Sequence, residues 1–239
     1  MTEQQPLIKT LTGELFLPIR LYYKLHSRQA VETIFHKLRC MENEGERWLW
    51  LLTGEAKKLP FSVVTAPKGT AKGIKNAPIV LGTVYFANDQ QMIIDVGSVA
   101  RAVAAVPFFA NRIKRDLAEI THHAIYNKLF TDIAEHPGDC FDRLFAEVST
   151  DQIDARAKGL LADFAAQVAA GDSPEPAKGF ELVEGRQVHY YESGIKQMQL
   201  SLHINEMIAV RRATGEPDFT LADAIQSLLA ATKRLPKAH

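Results

Sequence analysis

Two cysteines, Cys40 and Cys140, are all that the 239 residues contain, and they stand a hundred positions apart. So few thiols exclude a disulfide scaffold, which needs several, and a zinc ribbon, which needs close pairs. Both read as small buried side chains. Long apolar runs are missing as well. The longest stretch free of charge, Asn76 to Asn88, is interrupted by Pro78 and Gly82 and falls short of the roughly 18 residues that span a bilayer. Met1 to Pro6 carries neither the basic nor the apolar part of a secretory leader, so a cytoplasmic location and no membrane partner are expected. Net charge is absent too. Lys and Arg total 28 and Asp and Glu total 28, which argues against a dedicated nucleic-acid binder.

Catalytic signatures are equally scarce. The sequence holds no Walker A loop, no Rossmann fingerprint and no Gly-x-Ser-x-Gly elbow. No cofactor and no metal are therefore expected, and no catalytic residue is assigned.

What is present is an ordinary folding chain, 46% hydrophobic and 23% charged, long enough for one large domain or two modest ones. Its charges are segregated. Ala56 to Arg115 holds nine Lys or Arg against Asp89 and Asp95, whereas Leu129 to Ala155 holds seven acids against Arg143 alone. Such poles read first as two solvated faces, and second as surfaces that pair between subunits or steer a charged partner.

Period and punctuation give the elements. Glu14 to His26 reads as a strand, with Pro18 suggesting an edge or a bulge. Ser27 caps a helix whose apolar face is Val31, Ile34, Phe35, Leu38 and Met41, and Gly45 ends it. Trp48 to Leu52 is a second strand, making a βαβ unit. A short strand at Phe61 to Thr65 would lie inside the irregular stretch that follows. Ile79 to Ala87 and Gln91 to Val96 form a hairpin, Ser98 caps a helix running to about Glu119 with Pro107 inside it, and Ile120 to Asn127 returns as a strand. The order predicts an α+β fold: a ferredoxin-like βαβ/ββαβ N-terminal part with an insertion, then a mainly helical C-terminal part. The expected division is residues 1–130 and 131–239.

In the second part, helices are predicted over Asp139 to Val148, with Phe141, Leu144 and Phe145 inward, and from a Thr150 cap to Ala170, with Leu160, Leu161, Phe164 and Val168 as its stripe. Residues 171–179 read as a linker and 180–191 as a short hairpin around Glu184-Gly185. Ile195 to Val210 suits either a strand or a helix, with helix favoured. The last helix has a Thr220/Asp223 capping pair and an apolar face of Leu221, Ile225, Leu228 and Leu229.

Among candidate sites the foremost is the loop Pro67 to Asn76, where Gly69 and Gly73 free backbone amides and Lys68, Lys72 and Lys75 supply charge for an anion such as a phosphate. The commoner use of such a composition is a solvated connector. His122 and His123 point to opposite faces of a strand and cannot share a metal. His136, Asp139, Cys140 and Asp142 are a looser group of metal-ligand types without defined spacing. Cys40 lies one turn after His36, a spacing that could activate a thiol, although burial is the usual fate of a free cysteine. Asp95 ends a strand, where ligands gather and turns begin. Trp48, Trp50, Tyr22 and Tyr85 could form a base-stacking platform on an open sheet, but core packing is the stronger reading.

These readings favour a soluble intracellular, non-enzymatic binding or regulatory module capable of homo-oligomer formation. The alternatives are an enzyme or sensor of a phosphorylated small ligand held by the Lys68–Lys75 loop, and nucleic-acid binding through the 56–115 basic region.

Overall fold

Strict alternation of side chains is the first property of a strand, and Ile19–Leu25 shows what it does here. Ile19, Leu21, Tyr23 and Leu25 face one way, Arg20 and Tyr22 the other, and all six are buried. A strand covered on both faces belongs in the middle of a sheet. The computed structural model describes residues 6–62, 78–131, 141–170, 181–189 and 192–233. In chain order these hold β1 (Ile19–Leu25), α1 (Arg28–Phe35), β2 (Met41–Glu44), β3 (Arg47–Leu51), β4 (Val80–Asn88), β5 (Gln91–Val96), α2 (Val99–Ala110), β6 (Ala118–Tyr126), α3 (Phe141–Leu144), α4 (Thr150–Ala170), β7 (Val183–Gln187), α5 (Glu192–Ala213) and α6 (Leu221–Lys233). The fold is α+β, with most strands in the N-terminal half and most helices after them.

One seven-stranded sheet runs β2-β3-β4-β5-β1-β6-β7, and every neighbouring pair is antiparallel. Pro18 stands immediately before β1, so it leaves the ladder intact, and its carbonyl accepts the Tyr126 amide at 2.9 Å. The strand it was expected to place at an edge is central. A register shift between Tyr22 and Tyr23 supplies the bulge.

Ser27 caps α1 as predicted, its Oγ accepting the Ala30 amide at 3.3 Å. The helix stops at Phe35, however, and Met41 belongs to a strand. Gly45, at φ +74°, does not end a helix but turns β2 back onto β3. Because β3 runs opposite to β1, the two do not make a βαβ unit. After α1, β2 and β4 both run parallel to β1, and β4 is the nearer of the two, with β5 inserted between it and β1. The acids Glu42 and Glu44 lie exposed on the outer strand β2, and carboxylates at a sheet edge discourage pairing with another chain.

Helices α1, α2 and α5 cover one face. Trp48 and Trp50 are buried there, with ring centroids 5.4 Å from Phe35 for the first and 5.1 and 5.3 Å from Phe108 and Phe109 for the second. Each buried aromatic of this size contributes about 1.5–3 kcal/mol. They are core, not a stacking platform. Ser98 caps α2 through the Arg101 amide at 3.2 Å. Pro107 is accommodated inside α2, which ends at Ala110 rather than near Glu119. Buried Arg101 reaches back from α2 to Thr12 Oγ1 at 2.8 Å and the Val80 carbonyl at 3.1 Å, tying down the segment before β1.

The other face is crossed by the chain from Phe141 to Asp154. Phe145 and Ile153 are buried there against Tyr22, Ile93 and Ala124. Of the predicted Asp139 to Val148 helix, Asp139 and Cys140 lie outside the described residues, and the rest is helical only over Phe141–Leu144, α3. Ser149, rather than Thr150, caps α4: its Oγ accepts the Gln152 amide at 3.2 Å while Gln152 Oε1 accepts the Ser149 amide at 2.8 Å. The expected hairpin around Glu184-Gly185 is instead the single strand β7 on the edge of β6. Gly185 sits mid-strand because Ile153 lies on it, and a Cβ there would come within 2.5 Å of Ile153 Cγ1.

The ambiguous 195–210 stretch is helical, within α5. Thr220 and Asp223 form the expected box, with Asp223 Oδ2 accepting the Thr220 amide at 2.8 Å. Two of the predicted apolar stripes are largely exposed. Every residue of α4 from Lys158 to Ala170 is exposed, Leu160, Leu161, Phe164 and Val168 included, and in α6 Leu221, Ile225 and Leu229 are also exposed. Amphipathic spacing reports that a face is apolar, not that this chain covers it. Among the described residues, no helix is long and apolar enough to cross a membrane.

Gly185→Val should destabilise the protein by about 1–3 kcal/mol through overpacking against Ile153, read by urea denaturation. Adding Ile153→Ala should recover part of that loss; full additivity of the two losses would show that the contact does not matter.

Candidate functional site

Cross-strand register lines up two rows of side chains on the face opposite α1 and α2. One row runs Arg47, Tyr85, Ile93, Tyr22, His122, Gln187; the next runs Leu49, Thr83, Asp95, Arg20, Ala124, Gly185. Two charges therefore face each other directly on the central strands β1 and β5. Arg20 is 5% exposed and Asp95 6%. Their contact is bidentate, Arg20 Nε donating to Asp95 Oδ1 at 2.8 Å and Nη2 to Oδ2 at 2.9 Å, the arrangement in which a planar guanidinium matches a carboxylate best.

The cluster extends outward. Arg20 Nη2 also donates to Asp142 Oδ1 at 2.6 Å, and the Tyr85 hydroxyl donates to the same oxygen at 3.0 Å. The guanidinium carbon lies 5.5 Å from the Tyr85 ring centroid and 5.2 Å from that of Phe145. Burial pushes the Asp95 carboxyl up to about 6 although Arg20 opposes the shift, so the pair is ionised at neutral pH. Asp142 is held below the usual carboxylate range by its hydrogen bond from Arg20. Burial raises the Tyr85 phenol, and it raises that of Tyr22 to about 12. Both phenols stay protonated and act as donors. Tyr22 donates to the Val148 carbonyl at 3.0 Å.

The same crossing segment is clamped at its far end by His122. Its Nε2 lies 2.8 Å from Asp154 Oδ1, and Gln187 donates to that same oxygen. His122 Nδ1 lies 3.0 Å from Thr121 Oγ1. An imidazole beside a carboxylate is part of a hydrolytic triad, but no cysteine or serine hydroxyl meets this one in the contacts described, and its geometry secures α4. As the strand period requires, His123 points the other way. It is buried beside Glu184 and Arg186 of β7, its Nδ1 has no hydrogen-bond partner among the described residues, and burial lowers its pKa to about 4. Near it Asn205 of α5 donates to Glu184 Oε2 at 2.5 Å.

Of the sites read from sequence, Lys68, Gly69, Lys72, Gly73 and Lys75 lie outside the described residues, as do His136, Asp139 and Cys140. Asp142 is engaged by Arg20 and Tyr85, and among the described residues no three His, Cys, Asp or Glu gather as a metal site. Cys40 is fully buried and its thiol is pushed up to about 11 by burial, against activation, while His36 packs edge-on to Trp48 at 4.8 Å. In the 56–115 basic region Arg101 is buried, and Arg112 lies 3.6 Å over the Phe108 ring. Asp95, Asp142 and Tyr85 each stand out in the sequence for other reasons, as a strand-end acid, a metal-ligand type and an aromatic, but Arg20, which joins them, does not. The available signal was a base set between apolar residues, Arg20 in IRLYYKL, and a lone acid, Asp95 in QMIIDV, since an ionic side chain inside an apolar strand needs a counter-charge.

Arg20→Met should cost about 3–5 kcal/mol by stranding the Asp95 carboxylate, whereas Arg20→Met with Asp95→Leu should recover most of it in the same denaturation assay. For His123 the native ring stays neutral down to about pH 4, while the unfolded ring protonates near 6.5. Its contribution is complete above about pH 6.5 and lost as pH falls towards 4, by up to about 3 kcal/mol. His123→Leu should remove this dependence; parallel wild-type and variant stability curves between those values would contradict it. No family model, curated protein or solved structure matches the chain, so what the cluster can do rests on its own chemistry.

Proposed function

We propose that the chain is a non-enzymatic binding or regulatory module built on a ferredoxin-like plait, with α4 as its element of self-association. The plait is supported by the strand order β4-β5-β1-β6, by β1 and β4 running parallel on either side of β5, and by α1 and α2 packing on one face. In this reading β1, α1, β4, β5, α2 and β6 form the core, and the β2–β3 hairpin is inserted ahead of its second strand. Fold alone assigns no activity.

The exposed half of α4 carries the functional reading. A helical segment of that length is marginal in water without tertiary support, yet Lys158 to Ala170 is exposed throughout. Ala157, Leu161, Phe164 and Val168 recur at spacings of four, three and four, the seam of paired helices. That spacing reads the same in both directions. A second copy laid antiparallel brings Leu161 opposite Phe164 and Ala157 opposite Val168, large against large and small against medium, with no like charges along the seam. The occupant is therefore a second copy of this chain. A contact confined to about 20 Å of helix falls below the ~800 Å² per partner of a standard interface, so association should be weak.

Light scattering after size exclusion, from about 10 to 500 μM, should show the mass rising from 26.6 kDa towards twice that value. Phe164→Lys should hold the protein at monomer mass with unchanged thermal unfolding, because the ring is half exposed. A wild-type mass constant at the monomer value across that range would overturn the proposal.

A further inference from the structure

Arg20 and Tyr85 both donate to one carboxylate oxygen, that of Asp142. The two Nη2 hydrogens of Arg20 are divided, one to Asp95 and one to Asp142, and the Tyr85 hydroxyl converges on the same Asp142 oxygen. Both donors are rigid. Arg20 is anchored on β1 by the bidentate Asp95 contact and lies between the Tyr85 and Phe145 rings, and Tyr85 projects from β4. Asp142 is not: its side chain is 83% exposed and it rides on a four-residue helix. The fixed part of the contact is thus the pair of donors and the replaceable part is the carboxylate.

We propose that Arg20 and Tyr85 constitute a binding site for a small external carboxylate, with Asp142 as a built-in stand-in that the ligand displaces. Two donors aimed at one oxygen at 2.6 and 3.0 Å are what a carboxylate oxygen takes in strong, charge-assisted contacts. Charge selects the class. Arg20, Asp95 and Asp142 together carry a net charge of minus one, and a monocarboxylate replacing Asp142 keeps that balance. A dianionic phosphate would set a further negative charge beside the buried Asp95, which the low-dielectric surroundings penalise. The site opens to solvent where Asp142 now sits, so the ligand needs no cavity. Displacement frees Phe141–Leu144 from the sheet while the Tyr22 and His122 clamps further along the segment remain. The inference is independent of self-association through α4.

The test is a titration of Asp142→Ala with sodium acetate at pH 7.5, against sodium chloride at equal ionic strength, following the Arg20 Nε–Hε resonance by NMR and the melting temperature. Acetate should shift the resonance saturably and raise the melting temperature of the variant, with at least tenfold weaker binding to the wild type, whose Asp142 competes. Tyr85→Phe in the Asp142→Ala background should weaken acetate several-fold, and inorganic phosphate should bind more weakly than acetate. A non-saturable response, equal affinity in wild type and variant, or phosphate binding tighter than acetate would each overturn the assignment. Should Asp142→Ala not fold, Asp142→Asn keeps the shape without the charge and must still bind acetate more tightly than the wild type.

Discussion

A guanidinium and a carboxylate facing each other across β1 and β5 set the terms for much of this structure. Neither could be left alone at such depth, since an unpaired buried charge costs several kcal/mol. Their mutual bidentate contact solves the problem only for the strands themselves. The remaining donor capacity of Arg20 still has to be met, and the sheet face around it is apolar and aromatic. Asp142, Phe145 and Tyr85 meet both needs together: a second carboxylate for the outward N–H, and rings for the flat faces of the guanidinium. The crossing segment from Phe141 to Asp154 is thus drawn over the sheet by a charge as much as by hydrophobic burial.

That segment is unusual in being pinned at three separate points by polar contacts, to Arg20, Tyr22 and His122, with apolar side chains between them. It leads directly into α4 through the Ser149 cap. The first turn of α4 is therefore fixed to the sheet by Ile153 and Asp154, whereas its second half stands clear. One continuous stretch joins a charged cluster at the centre of the sheet to an apolar helix surface at its margin.

How much of this was legible beforehand varies with the kind of information. Helix caps were readable, because Ser27, Ser98 and the Thr220/Asp223 pair act on amides two or three residues away. The β4–β5 hairpin and the opposed directions of His122 and His123 followed from the period of two. Features depending on distant partners were not readable. Gly45 looked like a helix stop because nothing local distinguishes that from a tight turn between strands, and Gly185 looked like a turn because its reason for being glycine, Ile153, lies 32 positions earlier. The stripe on α4 is legible as apolar, but its exposure is not, because spacing alone does not say what covers a face. In the charged cluster the residues were visible as anomalies in apolar strands, but pairing Arg20 with Asp95 required the register.

The position of β1 also has a kinetic side. This is the first strand of the sheet in chain order, yet it lies in the interior, flanked by β5 and by β6. Its partners lie about 70 and 100 residues downstream, so one edge of β1 must wait until the chain through Val96 has emerged and the other until the chain through Tyr126 has. Pairings over such separations are slow because loop closure precedes any reward from contact. During that interval the nascent chain exposes an apolar seven-residue strand, IRLYYKL, in which Arg20 and Lys24 are the only charges. Those two side chains, one destined for burial and one for solvent, then serve as gatekeepers against aggregation, a duty that ends for Arg20 once Asp95 arrives.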